Sequence, residues 1–221
     1  RVLQSIVDQQ IKSPENLPQI REIMLTQFRQ DWEKIISGGY EKTKHEMLSF
    51  RRSLPNEGLD GRYYKSAGEK LIANFLFEHD VEYKYEWNHY WNGINYRPDF
   101  SLHLSKAQGV IIEYFGMVGD LDYDENTAEK KRFWNDNPDW QLIDIYPSDL
   151  AQRDEKQTEE FLKNLLERCE IRCKRLSEDE IWKLIKDRSI DRFTKVILNF
   201  IQRCRNLFLT LDELSHKIFN H

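Results

Sequence analysis

Two short runs decide the fold: Tyr96-Arg97-Pro98-Asp99-Phe100-Ser101-Leu102-His103-Leu104 and Val110-Ile111-Ile112-Glu113-Tyr114-Phe115, separated by the polar stretch Ser105-Lys106-Ala107-Gln108-Gly109. Their aromatic and β-branched residues read as strands. A regular hairpin centred on Lys106 sets Leu102 opposite Val110, Phe100 opposite Ile112 and Asp99 opposite Glu113. Side chains so placed have Cβ atoms roughly 5 Å apart, where like charges destabilise. At an effective dielectric of about 20, two anions at about 4 Å repel by on the order of 4 kcal/mol. A cation between them removes that cost, and oxygen-only ligands favour Mg²⁺, Mn²⁺ or a related hard ion. Asp99 also fits an ordinary strand-start carboxylate after a proline. Glu113, flanked by Ile111, Ile112, Tyr114 and Phe115, has to be paired, coordinated or protonated, because an isolated buried charge is too costly.

Around this hairpin the pattern is helix, three strands, helix, strand, helix, an α/β core. Ser66-Ala67-Gly68-Glu69 reads as a capping box opening a helix with Leu71, Ile72, Phe75 and Leu76 on one face, ending near His79-Asp80. Strands are expected over about 81–91, 95–104 and 109–115, the first with Tyr85 and Trp87 on one side. Gly119 to Asn126 reads as a solvated acidic loop, 127–136 as a helix, Trp140 to Tyr146 as a fourth strand closed by Pro147-Ser148-Asp149, and 156–171 as a charged helix. Residues 1 to about 55 read as helical, interrupted at Ser13-Pro14 and Leu17-Pro18 and again at Gly38-Gly39. The loop Pro55 to Gly61 marks the main boundary. Beyond Lys174 the chain is helical again: one helix from the capping box Ser177 to Glu180, an apolar stripe from Arg192 to Phe208, and a short helix from Asp212 to Phe219. The expected division is 1–60, an N-terminal helical segment; 61–175, the core; and 176–221, a C-terminal helical segment.

In a chain of 221 residues, 32% charged and 39% hydrophobic residues fit a well-cored protein rather than a disordered one. A net charge of −5 disfavours a protein that coats nucleic acid, yet allows one that meets it through a local patch and a metal. The three cysteines, Cys169, Cys173 and Cys204, suggest a reducing, cytoplasmic compartment, and the first two read as ordinary helix residues. No run approaches the ~18 apolar residues of a membrane span, no signal peptide opens the chain, and Arg1 in place of Met suggests a piece of something longer. There is no phosphate-binding GxxxxGK[ST] loop.

Glu69, then Arg97-Pro98-Asp99, then Ile111-Ile112-Glu113-Tyr114-Phe115 resembles the PD-(D/E)XK nuclease superfamily. Ser66 to Ala73 with Tyr96 to Phe100 and Ile112 to Gly116 resembles, more narrowly, the nuclease-like modules within bacterial superfamily-one DNA helicases. The likeness covers about residues 65–150. It implies a restriction-endonuclease-like core in which a three-strand antiparallel meander is followed by helix, strand and helix. It also implies DNA as partner, helicase motor domains in the same parent chain, and Mg²⁺ or Mn²⁺ held by Asp99, Glu113 and the Tyr114 carbonyl. Glu69 is then a third acid, or only the partner of its capping box. The family's lysine two residues after the glutamate is replaced here by Phe115. Some branches supply it from the next helix, which makes Lys130 and Lys131 of Glu129-Lys130-Lys131-Arg132 the replacements, unless that basic run is solvated surface. Arg97 is expected on phosphate or in a salt bridge with a nearby acid. The reading is a metal-dependent DNA endonuclease. Its rivals are an inactive domain of the same fold that binds DNA or docks partners, and a helical interaction scaffold. Tyr83, Tyr85, Trp87, Tyr90, Trp91 and Tyr96 read either as strand core or as a platform for unpaired bases.

Overall fold

The computed structural model describes residues 2–29, 57–91, 93–116, 121–151 and 153–210, together with 212, 213 and 216. It is a mixed α/β structure that divides into two compact units, Thr26–Ile181 and the pairing of Arg1–Leu25 with Trp182–His221.

The larger unit is built on a four-stranded sheet. β1 (Lys84–Tyr85), β4 (Phe100–His103), β5 (Gly109–Tyr114) and β6 (Trp140–Ile145) lie side by side in that order. β1 with β4 and β4 with β5 are antiparallel, whereas β5 with β6 is parallel. The register of β4 on β5 is the one the sequence predicts, with Phe100 opposite Ile112 and Leu102 opposite Val110. β5 is buried from Gly109 to Glu113 because both of its faces are covered. Val110 and Ile112 pack with Leu71, Ile72, Phe75 and Leu76 of α3 (Ala67–Glu78) and with Leu162 and Leu166 of α6 (Glu155–Arg168). Ile111 faces the other way, onto Phe133 and Trp134 of α4 (Leu121–Asn135). The period of two thus sends Glu113 to the α4 side and Tyr114 to the α3 side. The short α5 (Pro147–Ala151) follows β6 directly.

Several expectations need correction. The strand expected over 81–91 is interrupted, because Glu86 adopts a left-handed conformation (φ +50°) that breaks the alternation after Tyr85. Tyr85 therefore packs on the core while Trp87 is exposed. Beyond this break β2 (His89–Trp91) pairs with β3 (Ile94–Tyr96) in a separate two-stranded hairpin, and Arg97-Pro98 divides β3 from β4. α4 begins at Leu121, so most of the expected acidic loop is helical. No glycine or proline stands between Leu121 and Asn135 to stop it. Cys169 caps α6 and Cys173 lies beyond its end, so the latter is not a helix residue.

In the smaller unit, α1 (Val2–Ile11) and the start of α2 (Leu17–Phe28) are separated by a turn in which Asn16 N–H donates to the Ser13 hydroxyl. The two helices are separated where the sequence places the break, and Leu17-Pro18 lies in the first turn of α2, where a proline is tolerated. The segment after Ser177 is one 29-residue helix, α7 (Glu178–Asn206). Its expected capping box forms: Glu180 N–H donates to the Ser177 hydroxyl and Ser177 N–H to the Glu180 carboxylate. Val196 and Phe200 of the expected stripe remain exposed. Thr194 donates to Asp8 at 3.0 Å. Gly38-Gly39 and most of the expected helix Asp212 to Phe219 lie outside the described residues.

Gly68 sets how closely α3 approaches β5, since a Cβ there would sit 2.1 Å from the Tyr114 ring. Elsewhere in a helix, alanine for glycine gains about 1 kcal/mol. Gly68→Ala should instead destabilise by about 1–3 kcal/mol, the usual cost of overpacking. In a Tyr114→Ala background, where the ring is gone, the same substitution should cost little in denaturant melts.

Candidate functional site

Four polar side chains converge where β5 leaves the sheet. Glu113 is 1% exposed, and its Oε2 accepts a hydrogen bond from Lys130 Nζ at 2.9 Å. Its Oε1 is buried with no hydrogen-bond partner. Asp99 precedes the first residue of β4, and its Oδ2 accepts the Tyr114 N–H at 2.8 Å. That bond ties the acid to the residue beside Glu113. Burial, then the charges of Glu113 and Glu69, hold the Asp99 carboxyl up at about 7, against the pull of Tyr114 N–H and Lys130. Burial likewise raises Glu113, although Lys130 opposes it. Burial works to lower Lys130, but the Glu113 carboxylate outweighs it and the ammonium is held more firmly protonated than usual.

Glu69 stands at the start of α3, where Ser66 is the N-cap. Its Oε1 accepts from the Ser66 hydroxyl at 2.8 Å, and its Oε2 from the Tyr85 hydroxyl at 2.6 Å and Lys65 N–H at 3.3 Å. The side chain is buried and clamped by its own chain, while its charge acts on Asp99 and Glu113. Tyr85 OH is in turn held well above its ordinary range by burial and by Glu69.

α4 assigns its two lysines to two strands. Lys130 meets Glu113, whereas Lys131 pairs with Asp144, the residue opposite Glu113 in the parallel register of β6. Lys131 Nζ also lies 5.0 Å from the Tyr146 ring centroid and 5.7 Å from that of Phe115. Phe115, at the position where the family pattern has a lysine, is buried against Tyr146. Arg97 is exposed with Nε 3.8 Å from Glu86, the salt-bridge alternative raised by the sequence. The Tyr114 carbonyl accepts Gly116 N–H at 3.0 Å.

Two contributors escape a linear reading. Asp144 joins through strand register, which no local motif signals. Trp134 lies one turn after Lys130 on α4, and its Nε1 is close enough to Glu113 to favour the carboxylate, yet is itself buried without hydrogen-bond geometry. Lys70, on the same helix as Glu69, is fully buried and lowered to about 8 by burial, and Asn74 accepts from Leu59 N–H and donates to the Phe28 carbonyl.

Among the described residues no group of three or more His, Cys, Asp or Glu has metal-holding geometry. A pair of carboxylates is nevertheless a fit for a hard divalent ion that keeps several waters. The orphaned Glu113 Oε1 and the elevated Asp99 carboxyl are the two defects such a charge would relieve. Comparison with protein-family models, curated proteins and solved structures yields no match.

Between about pH 4 and 7 folded Asp99 keeps a proton that the unfolded chain has released, so metal-free stability falls as pH rises through that window. Asp99→Asn should therefore be more stable than the parent at about pH 8, by on the order of 1–3 kcal/mol, and should gain nothing near pH 4. Urea melts across that range, with EDTA present, check it. A pH-independent difference would contradict the assignment.

Proposed function

We propose that the chain is a metal-dependent DNA endonuclease domain with a restriction-endonuclease-like core, acting in the cytoplasm as a module of a larger DNA helicase. The observation that carries the reading is the contact of Lys130 with Glu113 beside the elevated Asp99 carboxyl. The acid pair and lysine of the family pattern are then assembled despite Phe115. The residues fit the PD-(D/E)XK resemblance in order and in element: Glu69 on the helix, Asp99 before one strand, Glu113 in the next.

Asp99 and Glu113 would hold Mg²⁺ or Mn²⁺, which when bound supplies Lewis-acid polarisation of a phosphodiester and a more acidic water. The chain's own groups supply the rest. Lys130 remains protonated through Glu113, so it offsets charge developing on phosphate oxygens rather than removing a proton. Tyr114 N–H and the Glu69–Tyr85 clamp fix where Asp99 and the head of α3 stand, leaving little geometry to be organised during reaction. Lys131, engaged with Asp144, supports the α4–β6 contact. Arg97 is free to exchange its long contact with Glu86 for a phosphate.

Incubation with single- and double-stranded DNA plus Mg²⁺ or Mn²⁺ should give cleavage that Asp99→Asn and Glu113→Gln abolish. Lys130→Met should slow it by about a hundredfold or more, the usual loss of a charge-stabilising donor, and Lys131→Met by less than about tenfold. Salt-sensitive DNA binding without cleavage would favour the inactive-domain reading. Neither binding nor cleavage would leave a structural scaffold.

A further inference from the structure

The β2–β3 hairpin is not hydrogen-bonded into the main sheet, and a lone two-stranded ribbon has little stability of its own. What holds it is one face. His89 and Tyr96, a directly opposed pair, both point inward. His89 Nε2 lies 2.7 Å from the buried Ser101 hydroxyl, and its ring meets Trp134 and Trp140 edge-on. Tyr96 stacks on Phe133 with ring centroids 4.4 Å apart. The two-residue connection between Trp91 and Ile94 ends on Gly93, whose φ of +78° suits the tight turn.

Alternation then turns the next pair outward. Tyr90, 79% exposed, stands directly opposite the exposed Asn95. One residue supplies an aromatic plane and the other an amide with both donor and acceptor. A cation follows them in the chain: the exposed Arg97 comes immediately after β3. The ribbon also runs into the acid pair. Tyr96 is near enough to Lys130 and Glu113 to feel their charges, and two residues after Arg97 comes Asp99.

We propose that the outer face of the β2–β3 hairpin grips unpaired nucleotides of a DNA strand beside the carboxylate site, Tyr90 stacking on a base and Asn95 bonding its edge. The inference rests on the nuclease reading and deepens it, because it names single-stranded DNA, or a single-stranded stretch within a duplex, as the preferred substrate. Stacking suits such a strand, since every unpaired base offers a π face and a paired one does not. Arg97 supplies an accompanying phosphate contact.

Fluorescence anisotropy with the whole chain in EDTA, using a labelled single strand and a duplex of equal length, separates binding from chemistry. The single strand should bind more tightly. Tyr90→Ala should weaken it by about five- to a hundredfold, the range for one base–aromatic stack, with duplex affinity and melting temperature unchanged. Tyr90→Phe should retain most of the affinity, and Asn95→Ala should lose a further part. Unchanged single-strand affinity in Tyr90→Ala, equal losses on duplex, or no binding of either DNA would overturn the proposal. Failure of the nuclease reading looks different: Tyr90-dependent binding would persist while no metal elicits cleavage.

Discussion

Glu113 is a carboxylate in the centre of the sheet with almost no access to water, and the fold around the candidate site can be read as the means of holding it there. Left alone, a buried carboxylate costs several kcal/mol or takes up a proton. Lys130 neutralises one oxygen and fixes the rotation of α4 against β5. With α4 so placed, Lys131 reaches Asp144 on the next strand, and Phe133 and Trp134 close the α4 face of the sheet over Ile111. Asp99 brings a second acid through the Tyr114 N–H, and Glu69 contributes a third charge from the head of α3. One lysine does not balance three carboxylates. Burial first, and then this excess of negative charge, holds the Asp99 carboxyl up, and Glu113 Oε1 is left unpartnered.

That imbalance distinguishes this cluster from a balanced ion pair. A purely structural design would satisfy both oxygens of a buried acid, as this chain does for Glu69, whose two oxygens accept from Ser66, Tyr85 and Lys65. The contrast within a single cluster is informative: one acid is fully clamped, and its neighbours are left short of positive charge. Groups with displaced proton affinities gather where chemistry is done.

The strongly patterned parts of this architecture were legible in the sequence. The β4–β5 register followed from the polar stretch around Lys106, although the ladder ends at Phe100–Ile112, and Asp99 reaches the Tyr114 N–H from just outside it. The capping serines Ser66 and Ser177 marked two helix starts. The contact of Lys130 with Glu113 was legible only through the resemblance, and nothing local distinguished Lys130 from Lys131. That distinction depends on which strand each side chain reaches. Asp144 and Trp134 were invisible for the same reason, since parallel register and helix rotation are set by packing rather than by motif. The hairpin does carry a local signal, the dipeptide Asn92-Gly93. The break at Glu86 had none, because a left-handed glutamate is a tertiary imposition.

Asp99 and Glu113 share one under-neutralised environment. Carbon-13 NMR of side-chain carboxyls, followed through a pH titration of the metal-free protein, tests it most directly. The Asp99 resonance should titrate near neutrality and move down towards the ordinary carboxylate range when Glu113 is replaced by Gln. An Asp99 that titrates normally in the parent protein, and is indifferent to Glu113, would contradict the shared site.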